Sequence, residues 1–252
     1  MKDYRISTTQ IEMFRKYYDI DLVFGKPEVS MEKLITSITE PYRANILGDR
    51  GKAFHAILEG QGILCQDRTT GKQYYSYYSE TFKQEHQFDR QMFLEVYYRN
   101  KDFFTPSATA EVKTTIHYPH RLYNITIVAK ADKLLGKAIA EWKTQWGKND
   151  DDFKDDHPDW YRNIASEYES SLQWRIYLKA FGAGMMRYTV CQVCPEPPFH
   201  NYFKLHDIDT LEVYPYYGMD TDIELYVDSF IDFIEDNNLG EYFEKKGTEW
   251  YE

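Results

Sequence analysis

Residues 123–146 read Tyr-Asn-Ile-Thr-Ile-Val-Ala-Lys-Ala-Asp-Lys-Leu-Leu-Gly-Lys-Ala-Ile-Ala-Glu-Trp-Lys-Thr-Gln-Trp. The first half is β-branched and apolar, Leu135-Gly136-Lys137 can turn, and Ala138 to Lys143 reads as a returning strand. A hairpin of this register sets Asp132 beside Glu141. Glu141 and Lys143 are two apart, so on a strand both side chains leave the same face. Two carboxylates and an ammonium then converge. Carboxylate oxygens suit Mg²⁺ or Mn²⁺, which commonly sit on one or two carboxylates plus substrate phosphate. Lys143 adds a compact cation able to orient a water or steady a phosphate.

The spacing Asp132-(x)8-Glu141-x-Lys143 across a turn resembles the core of the PD-(D/E)xK nucleases. Glu141-Trp142-Lys143-Thr144 resembles the Asp-Tyr-Lys-Thr signature of their RecB-type branch. Ala131 stands where the family name has proline, and Ala129 where glycine is common, yet neither change removes a ligand. Residues 48–60 add a second match: Gly51-x-x-x-His55 resembles the Gly-x-x-x-His motif whose histidine is a metal ligand in that branch. A third lies at Gln173-x-x-x-Tyr177, like the pair that follows the metal site there and contacts DNA or orients catalytic groups. Each pattern is common by itself; in this order they reinforce one another.

Local signals place these motifs. Thr9-x-x-Glu12 has capping-box spacing ahead of Ile11, Phe14, Tyr17 and Tyr18, so a helix is expected there. Residues 20–45 read as irregular, broken at Gly25, Pro27 and Pro41. Asp49 is expected to cap a helix carrying Phe54, Ile57 and Leu58 and stopping at Gly60, with Glu59 a turn on from His55. No G-x-x-x-x-G-K-[ST] loop is present, so the chain carries no ATP motor motif. Residues 79–99 read as a long helix and 109–118 as a strand bearing Glu111. Then follow a helix over about 161–181, a strand over 187–194, and an amphipathic helix over 221–237.

The chain has 252 residues, enough for one large domain or two small ones. Its longest apolar runs fall far short of the roughly 18 residues of a membrane span. The first residues lack the apolar core of an export signal. Three cysteines make no disulfide framework, which fits a reducing cytoplasm. Cys191-x-x-Cys194 invites a zinc or redox reading, but zinc needs two more ligands and an iron–sulfur cluster four cysteines, so no cluster is expected. Both cysteines read as buried strand residues.

Net charge is -11, and its distribution matters more than its size. Residues 219–252 hold 11 acidic and 2 basic side chains, which leaves a net of only -2 for the rest. Six Asp and one Lys crowd into 150–159, a run without the ligand spacing of an EF-hand. Any contact with DNA must therefore use a local basic surface. Arg50, Lys52, Lys130, Lys133, Arg175 and Lys179 flank the motifs and can line a channel.

The resemblance implies one α/β domain of the restriction-endonuclease-like fold, an αβββαβ mixed sheet flanked by helices. Its expected parts are a mainly helical N-terminal elaboration (1–105), a catalytic core (106–206) and an acidic C-terminal helical region (207–252). It also implies Mg²⁺ or Mn²⁺ held by His55, Asp132, Glu141 and the Trp142 carbonyl, with Lys143 orienting water and Gln173 and Tyr177 alongside. Glu196-Pro197-Pro198-Phe199 resembles phage exonucleases that partner a single-strand annealing protein, some of which close into homo-oligomeric rings. A linear-duplex DNA exonuclease of a bacterial or phage-infected cytoplasm is the resulting expectation. Two alternatives stand beside it: an endonuclease of the same fold acting on branched or single-stranded DNA, and a silent nuclease-fold binding protein using its acidic C-terminal region.

Overall fold

Ser7 ends one element and begins the next. Lys2–Ser7 is a strand (β1), and the Ser7 hydroxyl accepts the Gln10 N–H at 3.2 Å while the Gln10 side chain accepts the Ser7 N–H at 2.9 Å. This capping box starts helix α1, Thr8–Tyr18, two residues ahead of the expected Thr9–Glu12 pair. Glu12 is thereby released for a longer-range role. The computed structural model describes residues 2–20, 25–40, 44–148, 165–196, 201–246 and 249–250.

Helix α2 (Met31–Thr39) follows, capped by Ser30 and burying Leu34 and Ile38 one turn apart. The expectation of irregular chain over 20–45 is corrected there: the Gly25 and Pro27 breakers merely precede a helix. Helix α3 (Ile46–Leu58) is capped by Asn45, whose side chain accepts the Gly48 N–H at 2.8 Å. Asp49, expected as the cap, does not serve as one; its carboxylate turns inward to Ser79 Oγ at 2.8 Å and His86 Nε2 at 2.7 Å.

Strands β2 (Ile63–Gln66), β3 (Gln73–Ser79) and β4 (Gln84–Asp89) come next, then α4 (Arg90–Arg99). The expected long helix over 79–99 is therefore a strand followed by a shorter helix. Gln84-Glu85-His86-Gln87 has no intrinsic strand preference, but pairing with β3 and burial of His86 and Phe88 on alternate positions override it. The remaining elements are β5 (Thr109–Pro119), β6 (Tyr123–Leu135), β7 (Ala138–Trp146), α5 (Leu172–Phe181), β8 (Met185–Pro195), β9 (Tyr202–Val213) and α6 (Met219–Asp236). A short pair, β10 (Lys245–Lys246) and β11 (Glu249–Trp250), ends the described chain.

Nine strands form one mixed sheet in the order β1-β6-β7-β8-β9-β4-β3-β2, with β5 on the other edge of β6. The β6–β7 hairpin is as expected: Leu135 pairs with Ala138 across Gly136, whose φ of 58° lies in the left-handed region that glycine adopts freely. β7 and β8 are parallel, which requires a crossover, and α5 lies in that connection.

Helices cover both faces. Helices α1, α2, α5 and α6 pack on one face over Ile125, Ile127, Tyr188 and Val190; α3 and α4 pack on the other over Trp142, Cys191 and Phe203. Phe14 of α1 meets Phe230 and Phe233 of α6 at 5.0 and 5.6 Å, so α6 belongs to the core. The mainly helical regions expected at both ends also feed the sheet. Residues 1–105 supply four strands to the sheet as well as helices, and β9 carries the sheet into the region expected to be helical. The acidic run 150–159 and the residues Pro197–Phe199 lie outside the described residues.

Candidate functional site

Strand β6 has two partners on a single edge. β1 pairs with it in parallel up to Ser7–Val128, and β7 pairs with it antiparallel only from Lys133–Ala140 onward. Between Val128 and Lys133 the ladder on that edge is open, and buried backbone groups there require other partners. Side chains supply them. Thr8 Oγ1 donates to the Val128 carbonyl at 3.3 Å, and the Tyr177 hydroxyl to the Lys130 carbonyl at 2.6 Å. The Asp132 N–H donates to Glu141 Oε1 at 2.9 Å, while the Trp142 N–H donates to Asp132 Oδ2 at 2.8 Å. Each carboxylate thus caps the strand that carries the other.

Lys143 Nζ donates to Glu141 Oε2 at 2.9 Å, as the two-residue spacing on β7 predicts. From the opposite layer, α3 brings His55 Nδ1 to 3.6 Å from Asp132 Oδ1. That is too long for a hydrogen bond. On α5, Gln173 Nε2 donates to the Tyr177 hydroxyl at 3.0 Å, and this hydroxyl is the one that reaches β6. His55, Asp132, Glu141, Lys143, Gln173 and Tyr177 therefore gather around one fork. Trp142 lies at the same place through its N–H, with its ring buried against Phe104 at 5.5 Å.

Burial sets the electrostatics. It pushes Glu141, whose side chain is 3 % exposed, up to about 7 despite the neighbouring Lys143 ammonium. It also raises Asp132, against the pull of Lys143 and the Trp142 N–H. Burial opposes the Lys143 charge, but the two carboxylates outweigh it and hold that pKa above its ordinary value. His55 is lowered, first by burial and then by Lys143, so its imidazole is held neutral and able to act as a ligand.

These donors fit a divalent cation in part. An ion bonded at roughly 2.0–2.2 Å to each atom spans the 3.6 Å between His55 Nδ1 and Asp132 Oδ1. Glu141 already accepts one hydrogen bond at each oxygen, and the lone pairs left over are its capacity for a metal. No group of three or more His, Cys, Asp or Glu side chains among the described residues closes around a common point.

No protein-family model matches this chain. No curated protein matches it either. Solved structures do: SSO0001, at 14% identity and TM-score 0.43, over 93% of this chain and 78% of the other. The alkaline exonuclease LHK-Exo from Laribacter hongkongensis matches at 12% identity and TM-score 0.30, over 57% of this chain and 66% of the other. LHK-Exo in complex with dAMP matches at 12% identity and TM-score 0.33, over 92% and 88%. TM-scores this low bear on neither fold assignment nor activity.

Glu12 in its capping role and Tyr188 had no sequence signal of their own, whereas Glu111 and Glu59 stand in the sequence as neighbours of the candidate motifs. Glu12 Oε2 accepts the Leu172 N–H at 2.7 Å and Ser171 Oγ at 3.0 Å, so α1 caps the helix that carries Gln173 and Tyr177. Tyr188 pairs in register with Glu141 and lies under Lys143, its ring centre 5.9 Å from Nζ; its buried hydroxyl has no partner among the described residues. Glu111 takes a φ of 50° and drops out of the β5–β6 ladder directly across from Asp132. Its carboxylate is exposed and pairs with Lys130 at 2.8 Å. Glu59 stands near His55 as one of the charges acting on it. The expected basic channel is partly committed elsewhere: Lys179 pairs with Asp220 at 2.9 Å, and Arg175 donates to Tyr216 Oη and to the Ser170 and Ser171 carbonyls. Cys191 and Cys194 are fully buried on β8. Among the described residues no helix is long and apolar enough to cross a membrane.

Proposed function

We propose that this chain is a metal-dependent deoxyribonuclease of the PD-(D/E)xK type, RecB-like branch, on a restriction-endonuclease-like core. The observation that carries the reading is the fork: Asp132, Glu141 and Lys143 meet where β6 and β7 part, with His55 delivered from a separate helix. His55, Asp132, Glu141 and the Trp142 carbonyl would hold Mg²⁺ or Mn²⁺. When bound, the metal supplies Lewis-acid polarisation of the phosphoryl group and charge for the leaving oxygen. Lys143, fixed by Glu141, orients the water whose oxygen bonds to phosphorus as the ester P–O bond breaks. Tyr177, held by Gln173, caps the Lys130 carbonyl in the gap that β1 and β7 leave on β6. His55, kept neutral, contributes a lone pair rather than a second positive charge.

The preferred substrate in this reading is the end of a linear duplex, resected to feed a single-strand annealing partner in phage-type recombination or repair. A ring of subunits would keep so acidic a protein on its track. The test is a time course on linear, nicked, closed-circular and single-stranded DNA, with Mg²⁺ and with EDTA. Linear duplex should disappear from its ends only with Mg²⁺, and the closed circle should persist. Efficient nicking of the closed circle would transfer the assignment to the endonuclease class. No cleavage of any substrate under any divalent metal would leave the silent binding protein.

A further inference from the structure

Among the described residues Arg50 is a cation without a counter-ion. It lies on α3, five residues before His55, which along a helix is about 7.5 Å. No carboxylate pairs with it and no hydrogen bond engages it among the described residues; its Nε is buried and unpartnered. Asp49, its neighbour in sequence, is turned into the core and taken by Ser79 and His86. Instead, the guanidinium carbon lies 4.7 Å from the Phe203 ring centre and 5.8 Å from that of Trp146. Burial alone moves its pKa, downward, with no acid near enough to oppose it.

A half-buried guanidinium whose Nε meets no partner among the described residues carries an unmet cost. The two rings back one side of the guanidinium; its Nε is closed off, and the two Nη groups, which are not among the buried unpartnered atoms, are the donors left to bind. Two such donors match two oxygens of a phosphate. The location fits as well. Helix α3 runs along β7, with Gly51 beside Thr144 and His55 beside Trp142, so Arg50 stands at the Trp146 end, past Lys143.

We propose that Arg50 is a phosphate-binding residue that grips the DNA backbone on the α3 side of the site. This rests on the nuclease reading for its ligand, yet it is separable from cleavage. Binding of a fluorescein-labelled 20-base-pair duplex would be followed by anisotropy in EDTA, over a series of salt concentrations, for wild type, Arg50→Met and Arg50→Lys. Arg50→Met keeps a long apolar stem on the two rings and loses the charge. It should bind about tenfold more weakly, with a log K against log salt slope shallower by about 0.9, one phosphate contact. Arg50→Lys should recover the slope and only part of the affinity, because an ammonium is not bidentate. Unchanged slope and affinity in Arg50→Met would overturn the proposal, as would a wild type that binds no DNA. A wild type that binds but never cuts would defeat the nuclease reading while leaving Arg50 to pass or fail by its slope.

Discussion

Asp132 and Glu141 act both as acceptors that close the backbone at the fork and as buried acids. Removing Asp132 leaves the Trp142 N–H without its acceptor, at a cost of about 1–3 kcal/mol. Asp132→Ala should therefore fold with a lowered Tm, lose Mn²⁺ binding in calorimetry and lose cleavage; wild-type metal affinity would contradict the assignment. Lys143→Ala should separate these effects, retaining Mn²⁺ binding while turnover falls. Glu141 has a second, pH-linked consequence. Its folded pKa of about 7 exceeds the ordinary 4.5, so the folded state holds the proton more tightly and stability falls as pH rises between those values. The swing is roughly 3 kcal/mol at 1.36 kcal/mol per unit. His55 is lowered and acts in the opposite sense, losing stability as pH falls below about 6.5. The difference between wild type and Glu141→Gln isolates the acid. In EDTA, the Tm of wild type relative to the variant should fall from pH 5.5 to 7.5, and a rise would refute the burial argument.

Elements α3 and β8 give contrasting tests. Gly51 sits within α3, where a Cβ would meet only Thr144 Oγ1 at an ordinary 3.9 Å. Packing does not demand glycine there, and Gly51→Ala should raise stability by roughly 0.5–1 kcal/mol through helix propensity. If substrate backbone approaches this turn beside His55, the same variant should lose turnover despite its higher Tm. Cys191 and Cys194 are core residues of β8. Replacing them with alanine should lower Tm modestly and leave cleavage within a few-fold; a large loss of activity at unchanged stability would show that a thiol participates.

At the scale of the molecule, the acidic C-terminal region is an integral layer. Helix α6 buries Ile223, Val227, Phe230, Ile231 and Ile234 against α1 and α5, while its carboxylates face outward. Truncation after Val213 should therefore abolish cooperative unfolding by circular dichroism. A truncated chain that melts like the full one would revive a detachable acidic arm. Charge follows the same layering: under the proposed nuclease reading, repulsion from the acidic α6 would steer a duplex toward the face on which α3 packs.

Short-range pattern alone was enough for the hairpin at Gly136, the shared face of Glu141 and Lys143, the pairing of Gln173 with Tyr177, and the buried stripe of α6. Each rests on a period of two or 3.6 within a few residues, which the chain carries wherever it lies. Asp132, Glu141 and Lys143 came together from the hairpin pattern, and the family resemblance added His55 to them as a candidate. Tertiary structure decided the rest. Whether Thr9 or Ser7 capped α1, and whether Asp49 or Asn45 capped α3, depended on partners distant in the chain: Glu12 was drawn to Leu172, and Asp49 to His86. Residues 84–89 became a strand because β3 and β9 offered open edges. The fork itself is invisible in a linear reading, since it exists only where β1 and β7 share one edge of β6 and neither spans the gap. Arg50 was one of six basic candidates in the sequence. That no described carboxylate pairs with it appears only after folding turns Asp49 away and sets two aromatic rings beside the guanidinium.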